Sequence, residues 1–139
     1  MSKGKYESYK KFDVVCADFG DNLPGVQSGV RVGVVVSCDA SNHAGAPQVS
    51  VVPLTSKLKD IPVHVQLAPG DVIGYPLRMV SDFIPEDIQT LAKSCIRRKN
   101  GYISKSSSAR DELDRALIRQ FDLLPTARKM VLEEMASGQ

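Results

Sequence analysis

Tryptophan is absent from the 139 residues, and aromatics make up only 6% of them. Stacking platforms for single-stranded nucleic acid are therefore expected to be sparse. Cysteine is scarce as well. Cys16, Cys38 and Cys95 are odd in number, widely spaced and without a C-x-x-C pair, which argues against a disulfide framework. His43 and His64 do not stand at metal-ligand spacing, so neither a metal nor another cofactor is expected. Cys16 and Cys38 lie in apolar runs and read as small core residues. No apolar run reaches membrane-spanning length. Met1 to Lys11 is polar and basic, unlike a secretory signal, so a cytoplasmic protein with no membrane role is expected. A large charge of either sign is also missing. The net charge of +2 is too small to demand a polyanionic partner by itself.

What is present suffices for one core: 42% hydrophobic and 24% charged residues, the composition of an ordinary folded domain. The charge is unevenly placed. Lys93, Arg97, Arg98, Lys99, Lys105 and Arg110 follow one another with no acidic residue between them. That run is either a solvated loop or a phosphate-contacting patch.

Phe12 to Phe19 reads as a first strand, and Gly20 to Gly29 as a long loop of turn formers. Arg31 to Cys38 holds the apolar run Val34-Val35-Val36, and Val49 to Leu54 is a second such run. Both suit strands buried on two faces, and Pro53 stands near a strand end. Ile61, Val63, Val65 and Leu67 alternate with Pro62, His64 and Gln66, which predicts a half-exposed strand with His64 turned away from the core. Pro69-Gly70-Asp71 is a turn, Met79 to Ile84 a strand and Ile88 to Leu91 a short one. Ser104 to Ser108 reads as a linker. Ser108 to Asp111 resembles a capping box, opening a helix whose apolar face is Leu113, Ala116, Leu117, Phe121 and Leu124. Pro125 is expected to stop it, with Thr126 capping a second, short helix. Five or so short strands and a closing helix predict a small antiparallel β-barrel. The domain is expected over 1–124, with a helical extension over 125–139.

Three residues are suited to phosphodiester chemistry. Arg31 opens a buried strand beside the long loop, and its guanidinium matches phosphate oxygens. The bland alternative is an ion pair with Asp18 or Asp21. Thr55 ends a strand, where its hydroxyl either meets a phosphate or caps a turn. Glu86 is a candidate base for a ribose 2′-hydroxyl, although with Asp82 and Asp87 it also reads as a solvated acidic face. His64 reads as a partly exposed polar residue rather than a general acid.

Phe12 to Gly20, Gly29-Val30-Arg31, Val34 to Ser37, Val52-Pro53-Leu54-Thr55-Ser56, Pro62 to Val65 and Ser81 to Leu91 come in an order and spacing that resemble the MazF/PemK/Kid family of toxins. The likeness covers roughly 12–123. It implies a mainly β, SH3-like (CcdB/PemK-type) antiparallel barrel with a C-terminal helix, paired as a homodimer. It further implies a metal-independent endoribonuclease that cuts single-stranded RNA through 2′-hydroxyl attack and is silenced by an antitoxin protein. Arg31, Thr55 and Glu86 match the family's catalytic positions. RNA contacts are expected from Gln27, Ser28 and Gly29 of the loop, and from Ser56, Lys57, Asp87 and Gln89. Val32 replaces a proline common in the family, Gln89 a second arginine and Asp87 a glutamine. The last two changes oppose polyanion binding. A catalytically weak RNA- or protein-binding module, or a toxin acting on DNA gyrase, are the alternatives on the same fold.

Overall fold

A computed structural model describes residues 8–22, 24 and 26–138. Of the flexible lead-in expected over 1–11, residues 1–7 lie outside them, and Tyr9 is buried against the sheet. In chain order the strands are β1 (Asp13–Asp18), β2 (Val30–Val35), β3 (Gln48–Thr55), β4 (Val65–Leu67), β5 (Val72–Gly74), β6 (Ser81–Phe83), β7 (Gln89–Ala92) and β8 (Ile96–Ile103). Two helices follow, α1 (Ala109–Gln120) and α2 (Leu124–Ala136). All pairings are antiparallel, in the order β4-β6-β3-β2-β1-β8-β5, with β7 also on β3. The long strand β3 carries the curvature. Its first half pairs β7, through Val49↔Leu91, and its last residues pair β6, through Leu54↔Phe83 and Thr55↔Asp82. This curled sheet with helices at its C-terminal end is the expected barrel-like architecture.

The unbroken valine runs fill both faces of the sheet. Val14, Val34 and Val52 lie in register and point to one side, where Phe83, Leu67, Ile103, Leu113 and Ala116 close a core under α1. One residue along, Val15, Val35 and Val51 point to the other side and pack with Tyr9, Phe19 and Leu91. A strand alternates its side chains, so an all-apolar run requires cover on both faces.

Several elements differ from expectation. The predicted strand over 61–67 shrinks to β4, because Ile61 to His64 forms a turn closed by the His64 N–H on the Ile61 carbonyl at 2.9 Å. The basic run is no solvated loop: residues 96–103 form β8, an inner strand between β1 and β5. Cys38 is exposed and Cys16 half-buried, rather than both being core. The capping box does not form. Ser107 Oγ accepts from the Ala109 N–H at 3.0 Å, while Ser108 Oγ donates to Glu112 at 2.7 Å. Pro125 does not stop α1 and Thr126 does not cap α2. The break comes at Asp122, with φ +53°, and Pro125 sits in the first turn of α2, where its missing N–H costs nothing. Phe121 and Leu124 are half-exposed instead of lying on the buried face.

A candidate anion-binding cleft

Two glycines set one wall of the site. Gly74 and Gly101 face each other across β5 and β8, with φ +109° and +154°. A Cβ on Gly101 would collide with the Ile73 carbonyl oxygen, and one on Gly74 would lie 2.7 Å from the Asn100 oxygen. Only glycine allows this approach. It lets the Tyr75 N–H reach the Asn100 carbonyl at 2.8 Å. Tyr75, 63% exposed, then lies against the guanidinium of Arg98, 5.3 Å from its ring centre. Arg98 Nε donates to Asn100 Oδ1 at 2.9 Å.

The opposite wall comes from β2 and the end of β3. Arg31 pairs with Ala17 of β1, and its Nε donates to the Ser28 carbonyl at 2.8 Å. That bond fixes the guanidinium plane and leaves its terminal nitrogens to face the cleft. The suggested ion pair is not formed: Asp18 meets Arg97 at 3.4 Å, and among the described residues no carboxylate pairs with Arg31. Between the walls lies a cleft of about 740 Å³ lined by Arg31, Arg78, Arg98, Thr55, Ser56 and Tyr75, among others. Among the described residues no carboxylate lines it. Three guanidinium groups along one cleft with no carboxylate among its described lining residues favour an anion there.

Thr55 stands on a ridge. Its hydroxyl oxygen accepts the Lys57 N–H at 3.1 Å, as in the turn role weighed above, and keeps its own hydrogen to donate. Beyond the ridge a smaller cleft of about 150 Å³ is lined by Thr55, Gln27, Lys57, His64, Glu86 and Asp87, among others. Arg31 and Glu86 therefore occupy different clefts that share Thr55. Glu86 is not a lone carboxylate: its Oε2 lies 2.6 Å from His64 Nε2. The acidic cluster is no solvated face either, since Asp82 is fully buried.

Asp87 and Gln89 hold the loop. The Gln27 N–H donates to Asp87 at 3.2 Å, and the Gln27 carbonyl accepts from Gln89 Nε2 at 3.3 Å and from Asn22 Nδ2. Gly29 closes the loop neck with Gly20 and Phe19, each bond 2.8 Å. The expected contact residues thus fall into groups. Ser56 lies in the arginine cleft and Lys57 in the smaller one. Gln27, Ser28 and Gly29 form the strap between them, and Asp87 and Gln89 are its anchors.

Sequence reasoning did not single out Arg78, Tyr75 or the His64 contacts. Arg98 belonged to a recognised basic run, but strand alternation was needed to sort that run. Arg97 and Lys99 pair with Asp18 and Asp13, Arg98 turns into the cleft, and the Lys93 ammonium binds the carbonyls of Asn42 and His43.

The model of PemK-like, MazF-like toxins of type II toxin–antitoxin systems matches residues 10–121. The chain belongs to this family. Among solved structures, an endoribonuclease from a mycobacterial species has the same fold at 19% identity and a TM-score of 0.67, with 86% of this chain and 97% of that one covered. A mycobacterial endoribonuclease solved with its cognate antitoxin is 23% identical, with a TM-score of 0.66 and coverage of 84% and 97%. MazF from Deinococcus radiodurans is 19% identical, with a TM-score of 0.64 and coverage of 84% and 98%. No curated sequence matches the chain. In this MazF-like toxin Arg78 and Arg98 join Arg31 along the cleft.

Proposed function

We propose that this toxin is a metal-independent endoribonuclease that cleaves single-stranded RNA, acts as a cytoplasmic homodimer and is neutralised by a cognate antitoxin protein. The observation that carries the reading is the acid-free cleft in which Arg31, Arg78 and Arg98 face Thr55. Fixed guanidinium groups supply the charge stabilisation that a phosphoryl transition state needs, and exposed Tyr75 offers a base a stacking surface. Arg31 binds the non-bridging oxygens of the scissile phosphate and Thr55 Oγ1 donates to one of them. Glu86, reached across the ridge, accepts the 2′-hydroxyl proton. The 2′-oxygen bonds to phosphorus, the bond to the 5′-oxygen breaks, and that oxygen takes a proton from water. The products are a 2′,3′-cyclic phosphate and a 5′-hydroxyl.

Ser56, Lys57 and the strap residues Gln27, Ser28 and Gly29 lie along the path of the strand, while Asp87 and Gln89 act by holding the strap. Residues 1–124 form the working unit and 125–139 an extension. Mapping the RNA ends left after incubation in EDTA tests the reading. Cyclic phosphate ends that vanish in Arg31→Ala are expected. Salt-sensitive binding with intact RNA would point to a binding module instead.

A further inference from the structure

His64 is a buried titratable group that the reaction above leaves without a role. Its side chain is 5% exposed and lies between two carboxylates. Nδ1 is 3.2 Å from Asp82 Oδ2, and Nε2 is 2.6 Å from Glu86 Oε2. Asp82 Oδ2 also accepts the Lys59 N–H at 2.8 Å, and Asp82 Oδ1 is buried with no donor. Enclosing a carboxylate in this way is costly unless a hydrogen-bonded partner offsets it. Each ring–carboxylate contact needs one hydrogen between its heavy atoms. The three groups form one line, in which a ring nitrogen bearing a hydrogen donates it to the facing carboxylate oxygen. Its inner end is sealed in the core. Its outer end, Glu86, is 34% exposed and opens into the cleft it shares with Thr55.

We propose that His64 is the positioning residue for Glu86. Backed by Asp82, it completes a carboxylate–imidazole–carboxylate relay that takes up the proton of the attacking ribose 2′-hydroxyl. The proposal rests on the endoribonuclease reading. The ring holds Glu86 towards Thr55, where the phosphate sits. In the step itself the 2′ O–H bond breaks and a new O–H bond forms on Glu86. The hydrogen between Glu86 and His64 stays on the ring, and the proton leaves Glu86 for solvent after the product departs. The other charged groups bordering the ring are Lys59 and Asp60 from the segment after β3, with Lys57 and Asp87 in the shared cleft. Among the described residues, no charged side chain of α1 lines either cleft that the ring borders.

The test is a double-mutant cycle on an oligoribonucleotide, followed from pH 5 to 9 in EDTA. It compares wild type, His64→Gln, Glu86→Gln and the double variant. Residues acting as one unit give non-additive losses. Each single variant is expected to lose tenfold or more in kcat, with KM within about twofold. The double variant should be no slower than the worse single one. The limb of the pH–rate profile set by Glu86 should be missing from Glu86→Gln and the double variant, and displaced in His64→Gln. Wild-type kcat and pH profile in His64→Gln, or losses that multiply in the double variant, would overturn the proposal alone. No cleavage by wild type would overturn the endoribonuclease reading, and this role with it. If His64→Gln does not fold, Glu86→Asp answers, since it keeps the acid but draws it back from the ring. A folded, slow enzyme is expected, and an unchanged rate overturns the relay.

Discussion

Among the described residues Thr55 alone lines both clefts, so its hydroxyl is placed to address a phosphate and the proton acceptor's cleft together. Thr55→Val keeps the shape and deletes the hydroxyl. A rate loss of about tenfold, or ~1.4 kcal/mol of barrier, with an unchanged melting temperature is expected from single-turnover kinetics and a thermal scan. Arg31→Ala should cost more, about 10²–10³-fold, as for removal of one preorganised donor to an oxyanion. Arg31→Lys should recover little, because a point charge cannot both hold the Ser28 carbonyl and meet a phosphate with a fork. The positions of Arg31 and Thr55, near strand ends beside loops, were legible in the sequence. His64 was misread. Its alternation with Val63 and Val65 is a strand pattern, but Pro62 turns the chain there, and the ring swings onto two carboxylates distant in sequence. A period-two rule carries no knowledge of such partners.

At the level of elements, the β5–β8 pairing decides whether the arginine cleft exists. Gly101→Ala forces a side chain into a backbone carbonyl. Strain of this kind costs roughly 1–3 kcal/mol, so thermal denaturation should show a melting temperature several degrees lower, and RNA binding should weaken as the Tyr75 wall moves. Removing α2 should do neither, because none of its described side chains is buried. A chain ending at residue 124 is expected to melt and cleave like the full protein. The valine strands β1, β2 and β3 could be read directly, since a run buried on both faces needs no outside information. β5 and β8 could not. Val72–Gly74 is too short for a period, and β8 carries Arg97, Arg98, Lys99 and Asn100 in its middle. Its place beside β1 comes from pairing partners, not from propensity.

For the molecule as a whole, a formal charge of +2 includes a cleft lined by three arginines and, among the described residues, by no carboxylate. Three cleft arginines in contact with single-stranded RNA predict a slope near −2 in a plot of log affinity against log salt, and Arg98→Ala should reduce its size by about 0.7. Titration of a labelled, non-cleavable RNA at several salt concentrations measures both. Light scattering is expected to give twice the 15.1 kDa chain mass. The strap joining the two clefts is gripped through the main chain: Gln27 N, Gln27 O and Ser28 O receive or make the holding bonds. Ser28 contributes its carbonyl to these bonds and Val26 is exposed, so residue identity at 26 and 28 is free to drift. A library randomised at those two sites would keep its scaffold while exploring new sequence preferences, so diversification of relatives could proceed there without passing through unfolded ancestors.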